Sequence, residues 1–579
     1  MDQQRNLIIA IVLSVAILFG FQYFFQQQQP HPPAPASQTM PSSEPAAPGK
    51  SNAPATNLAP TVPGTAATAT AAKPLADVLA ETPRVKIDTP RLHGSIDLVG
   101  ARLDDLTLVN YHETTDPNSP EIQLLSPDGS ENPYFVEFGW VPAANSNAKV
   151  PDAHTRWTAS AGMLTPQHPV DLTWDNGAGL RFTRHYAIDD DYMFTVTQTV
   201  TNTGDKPVTL FPYGLVSRTG TPPVSGTYIL HEGPIGVFNG TLYDDISYSG
   251  LKPGEPRSFA TSGGWMGFTD KYWLVSLIPD QQATQKARFT KTDRDHTEIY
   301  QADYTGGEHV VPPGGSISSD ERLFAGAKEV HLLDRYESQL AIPKFDRAID
   351  FGWFYFLTKP IFLTLDFLYH WVGNFGIAIM LLTVIIKAIF FPLANKSYRA
   401  MSKMKLLQPE MQKLRERFGD DKARLNQEMM ALYKRVGANP MAGCLPIVIQ
   451  IPVFFSLYKV LYVTIEMRHA PFYGWIHDLS APDPTSFINL FGLLPFAAPH
   501  ISFLTIGAWP LIMGVTMFLQ QKLSPAPPDP VQARMMMFLP VIFTYMLSQF
   551  AAGLVIYWAW NNLLTIAQQW TIMRRANRA

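Results

Sequence analysis

Cysteine is nearly absent from this chain. Its 579 residues include one, Cys444, so no internal disulfide can form and no zinc site can be built from thiolates. Cys444 sits in an apolar segment, where its plain role is that of a small buried hydrophobe. Neither HExxH nor GxSxG occurs, so no metalloprotease or α/β-hydrolase chemistry is signalled. No metal and no cofactor is expected. Charged residues are sparse at 16%, and a net charge of −4 hides their uneven placement. Hydrophobic residues make up 46% and gather in blocks, in a chain too long for one compact domain.

Residues 30–74 lack aromatics and carry eleven prolines among Ala, Ser and Thr. Such a segment cannot bury a core and reads as a tether. Within it, Gly49-Lys50-Ser51 imitates the end of a phosphate-binding loop, but Glu44 stands where the first glycine belongs, which excludes it. Ahead of the tether, Leu7–Phe25 is an apolar run of transmembrane length. A signal peptide would have a shorter apolar core and an early small-residue cleavage site. The run here is long and leads into Gln26–Gln29, which favours an uncleaved anchor; Ala34-Pro35-Ala36 keeps the cleaved alternative open.

Five more apolar blocks follow the middle of the chain: Phe375–Phe391, Ala442–Val463, Ile506–Gln520, Met535–Phe550 and Leu554–Ile572. Between the first two, residues 395–440 hold eleven Lys/Arg against five Asp/Glu, which places that loop in the cytoplasm. The loop 464–505 has only Arg468 and faces out, whereas Lys522, Arg534 and the terminal arginines 574, 575 and 578 face in. Six spans with both termini cytoplasmic satisfy all of these. Phe351–Trp371 is apolar too, but a seventh span there reverses the basic loop and leaves only Val372–Asn374 as a turn. Ile349–Leu357 is therefore expected as an interfacial helix on the outer surface, leading into an extended second span.

Residues 80–335 alternate. Tyr192, Phe194, Val196 and Val200 share one face, and Thr195, Thr197, Thr199 and Thr201 the other, before a turn at Asn202–Asp205. Tyr134–Trp140 and Trp265–Ile278 also read as strands, which together suggest a β-sandwich outside the membrane. His185, His231 and Glu232 are there, without any catalytic pattern; His185 falls in the strand-like RFTRHYAI, where an ordinary strand histidine is expected.

One charge interrupts the greasy run FGIAIMLLTVIIKAIFF: Lys387. A charge at membrane depth costs roughly 2.5–3.5 kcal/mol on insertion scales and marks a water-accessible functional site, unless the side chain snorkels to the headgroups. After it, Met404, Leu407, Met411, Leu414 and Phe418 repeat at threes and fours, and so do Leu425, Met429, Leu432 and Val436. Gly419-Asp420-Asp421 between them makes a helical hairpin of coiled-coil type, with Pro409 expected to kink its first arm or to start that arm's main part. Its six excess positive charges suit lipid headgroups, ribosomal RNA or acidic proteins without choosing among them.

Asn439-Pro440, Gly443-Cys444-Leu445-Pro446 and Gln450-Ile451-Pro452 form an unusual run for a membrane span. With LQPEMQKLRERFGDD (406–420), QEMMALYK (427–434), WIHDLS (475–480), MGVTMF (513–518), FLPVIFT (538–544) and GLVIYW (553–558), the chain resembles the YidC membrane protein insertase family in its Gram-negative form. The resemblance implies a non-enzymatic, polytopic α-helical inner-membrane protein with a five-helix core, a large periplasmic all-β sandwich and a cytoplasmic hairpin. The segments expected are 1–29 anchor, 30–79 linker, 80–339 sandwich, 340–373 interfacial helix and lead-in, 374–394 second span, 395–440 hairpin, and 441–579 the remaining spans with a short basic tail.

The resemblance also implies an amphiphilic groove open to cytoplasm and lipid. By motif alignment its positive charge is Lys387, with Thr383 one turn before, Trp558 as a groove-facing aromatic and Gln521 on the fourth span. Where a member of that family carries arginine this chain has lysine, which keeps the charge and loses the planar fork. Phe454, Met535 and Met536 are expected on a substrate slide along the third and fifth spans. Implied partners are nascent membrane proteins, the ribosome or targeting machinery at the hairpin, the secretion translocon and lipids, but not DNA. The tail RRANRA is shorter and less basic than those of many relatives, which weakens a tail-based ribosome contact. A secondary transporter is the competing reading, but no membrane carboxylate is positioned in sequence to pair with Lys387.

Overall fold

The computed structural model describes residues 62, 72–144, 146–224, 230–294, 297–418, 421–437, 445–494, 506–524 and 530–576. The expected anchor Leu7–Phe25, Cys444 and the Asn439-Pro440 pair lie outside these residues.

After a short helix, α1 (Leu75–Leu79), the chain builds two sheets packed face to face. Among the described residues one sheet has eleven strands and the other nine. The ladders are antiparallel except where Lys86 and Ile87 pair in parallel with Met163 and Leu164. The alternation read at Tyr192–Val200 becomes the strand Met193–Asn202, central in the nine-stranded sheet, with Phe194, Val196 and Val200 fully buried. Trp265–Ile278 differs from expectation. It forms two strands, Trp265–Thr269 and Trp273–Ile278, folded into a hairpin at Asp270, whose backbone N–H donates to the Trp273 carbonyl. Both strands are almost wholly buried, so the alternation that marks a strand's length is absent.

Helix α2 (Val330–Gln339) leaves the sandwich, and α3 (Tyr355–Val372) follows. The helix expected at Ile349–Leu357 therefore begins six residues later and runs to Val372, where it ends instead of continuing into the next helix. The cause is local. Gly352 takes a positive φ of 74°, and its N–H donates to Asp350, which is itself pinned by Lys459 at 2.9 Å. The helix ends at Gly373 in the left-handed region, and Asn374 caps the next, α4 (Phe375–Ile389), accepting from the Ile377 N–H at 3.1 Å. Tyr369 and Phe375 stack across this corner with ring centroids 3.7 Å apart.

Helix α5 (Phe391–Phe418) departs from α4 at a 69° bend, and α6 (Lys422–Val436) returns along it. The kink falls at Phe390, and Pro409 is carried within a continuous helix. Leu407, Met411 and Leu432 are buried in the hairpin seam, with Met404, Leu414 and Met429 against them. Four helices complete the chain: α7 (Leu445–Val463), α8 (Ala508–Leu523), α9 (Pro530–Leu547) and α10 (Ala552–Ala576). Among the described residues no single helix is long and apolar enough to cross a membrane alone, while the bent pair α4–α5 qualifies by length and composition.

Polar ties join α2 and the turn after it to these helices. Lys359 on α3 bridges Asp334 at 2.7 Å and Asp346 at 2.8 Å. Glu466, just beyond α7, accepts the Val330 N–H at 2.9 Å and so caps α2 from another element; burial pushes its carboxyl up to about 7.

Candidate functional site: a lysine cleft between four helices

Lys387 lies in the last turn of α4, where the helix dipole favours a cation. Its Nζ donates to Thr565 Oγ1 on α10 at 2.7 Å, and that hydroxyl donates on to the Asn561 carbonyl at 2.7 Å. Thr383, one turn earlier, donates its hydroxyl to the Ile379 carbonyl, so it lines the cleft without a free donor. From α7, Gln450 Nε2 donates to the Tyr557 hydroxyl at 2.9 Å. Tyr398 on α5 and Asn561 and Gln568 on α10 complete the polar wall, while Ile386, Phe390, Leu393 and Val453 supply the apolar one. The cleft encloses about 540 Å³, including its open mouth. Among the described residues no carboxylate lines it, so the cation faces hydroxyls and amides only.

The expected site residues separate. Lys387 and Thr383 share the cleft. Trp558 instead packs between α7 and α9, its ring 4.9 Å from Phe454 and 5.7 Å from Phe543. Tyr557, its neighbour, lines the cleft in its place. Gln521 belongs to α8, which does not wall the cleft. Met535 and Met536 are exposed on α9 at 42% and 38%, along an apolar face that continues through Val541 and Ile542. Phe454 is half-buried against Trp558.

Sequence reasoning did not single out the α10 stripe. Asn561, Thr565, Gln568 and Gln569 recur at i, i+4, i+7 and i+8 on a largely apolar helix, a period of one helical face. Three of these face the cleft or its lysine, and Gln569 is buried with its Nε2 unbonded. Such a stripe inside a greasy helix is the signal that was present.

Residues 84–364 match the family model described as YidC periplasmic domain, and residues 367–579 that described as 60Kd inner membrane protein. A membrane protein insertase YidC of Granulibacter bethesdensis is 53% identical over 582 residues, covering 99% of this chain and 98% of that one. This chain belongs to the YidC membrane insertase family. A YidC of Nitrobacter hamburgensis is likewise 53% identical, covering 99% and 96%. A crystal structure of an active YidC insertase with its first transmembrane domain resolved shares 17% identity over 84% of this chain and 92% of that one, with a TM-score of 0.36. In this YidC member the sandwich is thus the family's periplasmic domain, and the lysine cleft lies within the 60Kd inner membrane protein region.

Proposed function

We propose that this chain inserts newly made proteins into the bacterial inner membrane by hydrating their polar ends in the Lys387 cleft. The observation that carries the reading is the cation itself: it is held at the junction of an apolar helix and a basic one, with a polar stripe opposite and no acid among the described lining residues. A carboxylate on a substrate tail is then the natural counter-ion. At 4 Å and an effective dielectric near 20, that attraction is about 4 kcal/mol. The substrate's apolar segment slides along the exposed faces of α7 and α9, where Met535 and Met536 accept many side-chain shapes. Burial of that segment in lipid supplies the drive, and for acidic tails the membrane potential adds roughly 2.3 kcal/mol per charge per 100 mV. No covalent step is needed.

In this reading the chain makes six spans with both termini in the cytoplasm, where the α5–α6 hairpin receives the ribosome or targeting machinery. The chain serves alone or beside the secretion translocon. The test is tail translocation of an acidic-tailed substrate by Lys387→Arg, Lys387→Ala and Lys387→Glu. Arg is expected to retain activity, Ala to lose most of it and Glu to lose more. Wild-type rates for both Ala and Glu would make the charge a bystander. A transporter reading predicts substrate-induced ion flux in liposomes, and the absence of a partnering acid among the described lining residues speaks against it.

A further inference from the structure

Two neighbouring strands of the eleven-stranded sheet, Tyr134–Pro142 and Val208–Thr219, are buried on both faces. Val136, Phe138 and Trp140, with Leu210 and Val216, point into the sandwich core. Phe135, Val141, Phe211, Tyr213 and Leu215 fall on the opposite face, in a separate cluster of their own. A sheet face turned away from its sandwich should be polar. This one is apolar, and what closes over it is Val62, a residue of the proline-rich segment, only 3% exposed.

The contact is more than greasy. The Val62 carbonyl accepts from Arg288 Nη2 at 3.1 Å. Arg288 is itself held in place. Its Nε donates to Asp303 at 2.6 Å, and Asp303 is fully buried and also accepts from Gln301 at 2.7 Å. On the other side Tyr213 donates to Glu137 at 2.7 Å, Glu137 pairs with Arg102 at 2.8 Å, and the Arg102 guanidinium lies 4.4 Å from the Phe135 ring. An open groove continues beside Val62, walled by Pro256, Arg288, Thr292 and Ile299.

We propose that this outer sheet face is a peptide-docking site and that its occupant is the chain's own proline-rich segment, anchored at Val62. The site reads one aliphatic side chain and one main-chain carbonyl, which is the chemistry of an extended peptide. Among the described residues it sets no other sequence demand, so affinity for a free peptide is weak. Attachment in the same chain compensates. Lys73, eleven residues after Val62, is already fixed by its N–H to the Gly129 carbonyl, so the effective concentration of the anchor is on the order of millimolar.

The test uses the full-length protein with Cys444→Ser and one added substitution, either Val62→Cys or Thr56→Cys, labelled by a charged maleimide. Labelling at 62 is expected to be at least tenfold slower than at 56. A synthetic peptide of residues 57–68 in excess is expected to accelerate it, and the same peptide carrying Val62→Asp is not. Leu215→Asp and Arg288→Ala, made separately, are each expected to abolish the protection; the peptide competition stands even if a face variant fails to fold. Equal rates at 56 and 62 overturn the proposal. So does protection that neither the peptide nor a folded face variant relieves.

Discussion

At the scale of single residues, buried charge decides behaviour. Glu321 in the sandwich core is 2% exposed; its Oε1 accepts from Ser319 at 2.6 Å, and its Oε2 has no partner. Burial pushes its carboxyl up to about 7. Between its unfolded value near 4.5 and 7, the folded chain holds a proton that the unfolded chain has released, so this group's contribution to stability falls as pH rises through that window. Glu321→Gln should remove this slope, an effect on the order of 3 kcal/mol at most, seen as a smaller drop in sandwich melting temperature from pH 5 to pH 8. An unchanged slope would show that another group titrates. Lys328 shows the opposite sign. It is 1% exposed, its Nζ bonds Thr269 at 2.9 Å, and burial lowers it to about 8. Its penalty is full below pH 8 and is relieved as pH rises toward the unfolded value of 10.5, so Lys328→Met should stabilise the chain at pH 7 and gain less at pH 10. Neither burial was visible in the sequence, because a lone Glu in an alternating strand and a lone Lys just past a strand's end both read as solvent-facing.

At the scale of elements, helix packing turns on small residues. Gly514 on α8 is buried against α9, and an added Cβ would collide with Thr544 Oγ1. That hydroxyl is already committed to the Pro540 carbonyl at 2.7 Å, so it has little freedom to retreat. Gly514→Ala should separate α8 from α9 at a cost of roughly 1–3 kcal/mol, read as faster protease cleavage between them. Cleavage as slow as wild type would mean the helices slide without loss. Elements were the most legible level in the sequence. Apolar blocks became α4, α7, α8, α9 and α10, and the heptad-like spacing gave the seam of α5 and α6. What escaped was contact between distant elements. Tyr557 and Trp558 are adjacent aromatics, and only the rotation of α10 against α4 and α7 decides which one meets Gln450 and Lys387. The Gly352 turn that delays α3 was hidden for the same reason, since Asp350 is fixed by a lysine more than a hundred residues away.

At the scale of the molecule, one apolar core runs from the sandwich into the helices, and a few charged ties reinforce the junction at α2 and α3. Asp346 is 6% exposed and depends on Lys359 and the Tyr355 hydroxyl for its pairing. Lys359→Met should strand it, costing a few kcal/mol. Hydrogen exchange is expected to rise in α2 and α3 and to stay unchanged in α10. Uniform protection would show that apolar packing alone joins the two parts.

The bend at Phe390 has a mechanical consequence. Phe390, Leu393 and Ala394 wall the cleft and also form the root of a 28-residue arm, about 42 Å long at 1.5 Å per residue. A tilt of about 10° about that root sweeps the distal tip by roughly 7 Å, yet shifts the wall by only about 1 Å. A pull on the distal tip of such an arm would therefore reach the cleft wall reduced about sevenfold.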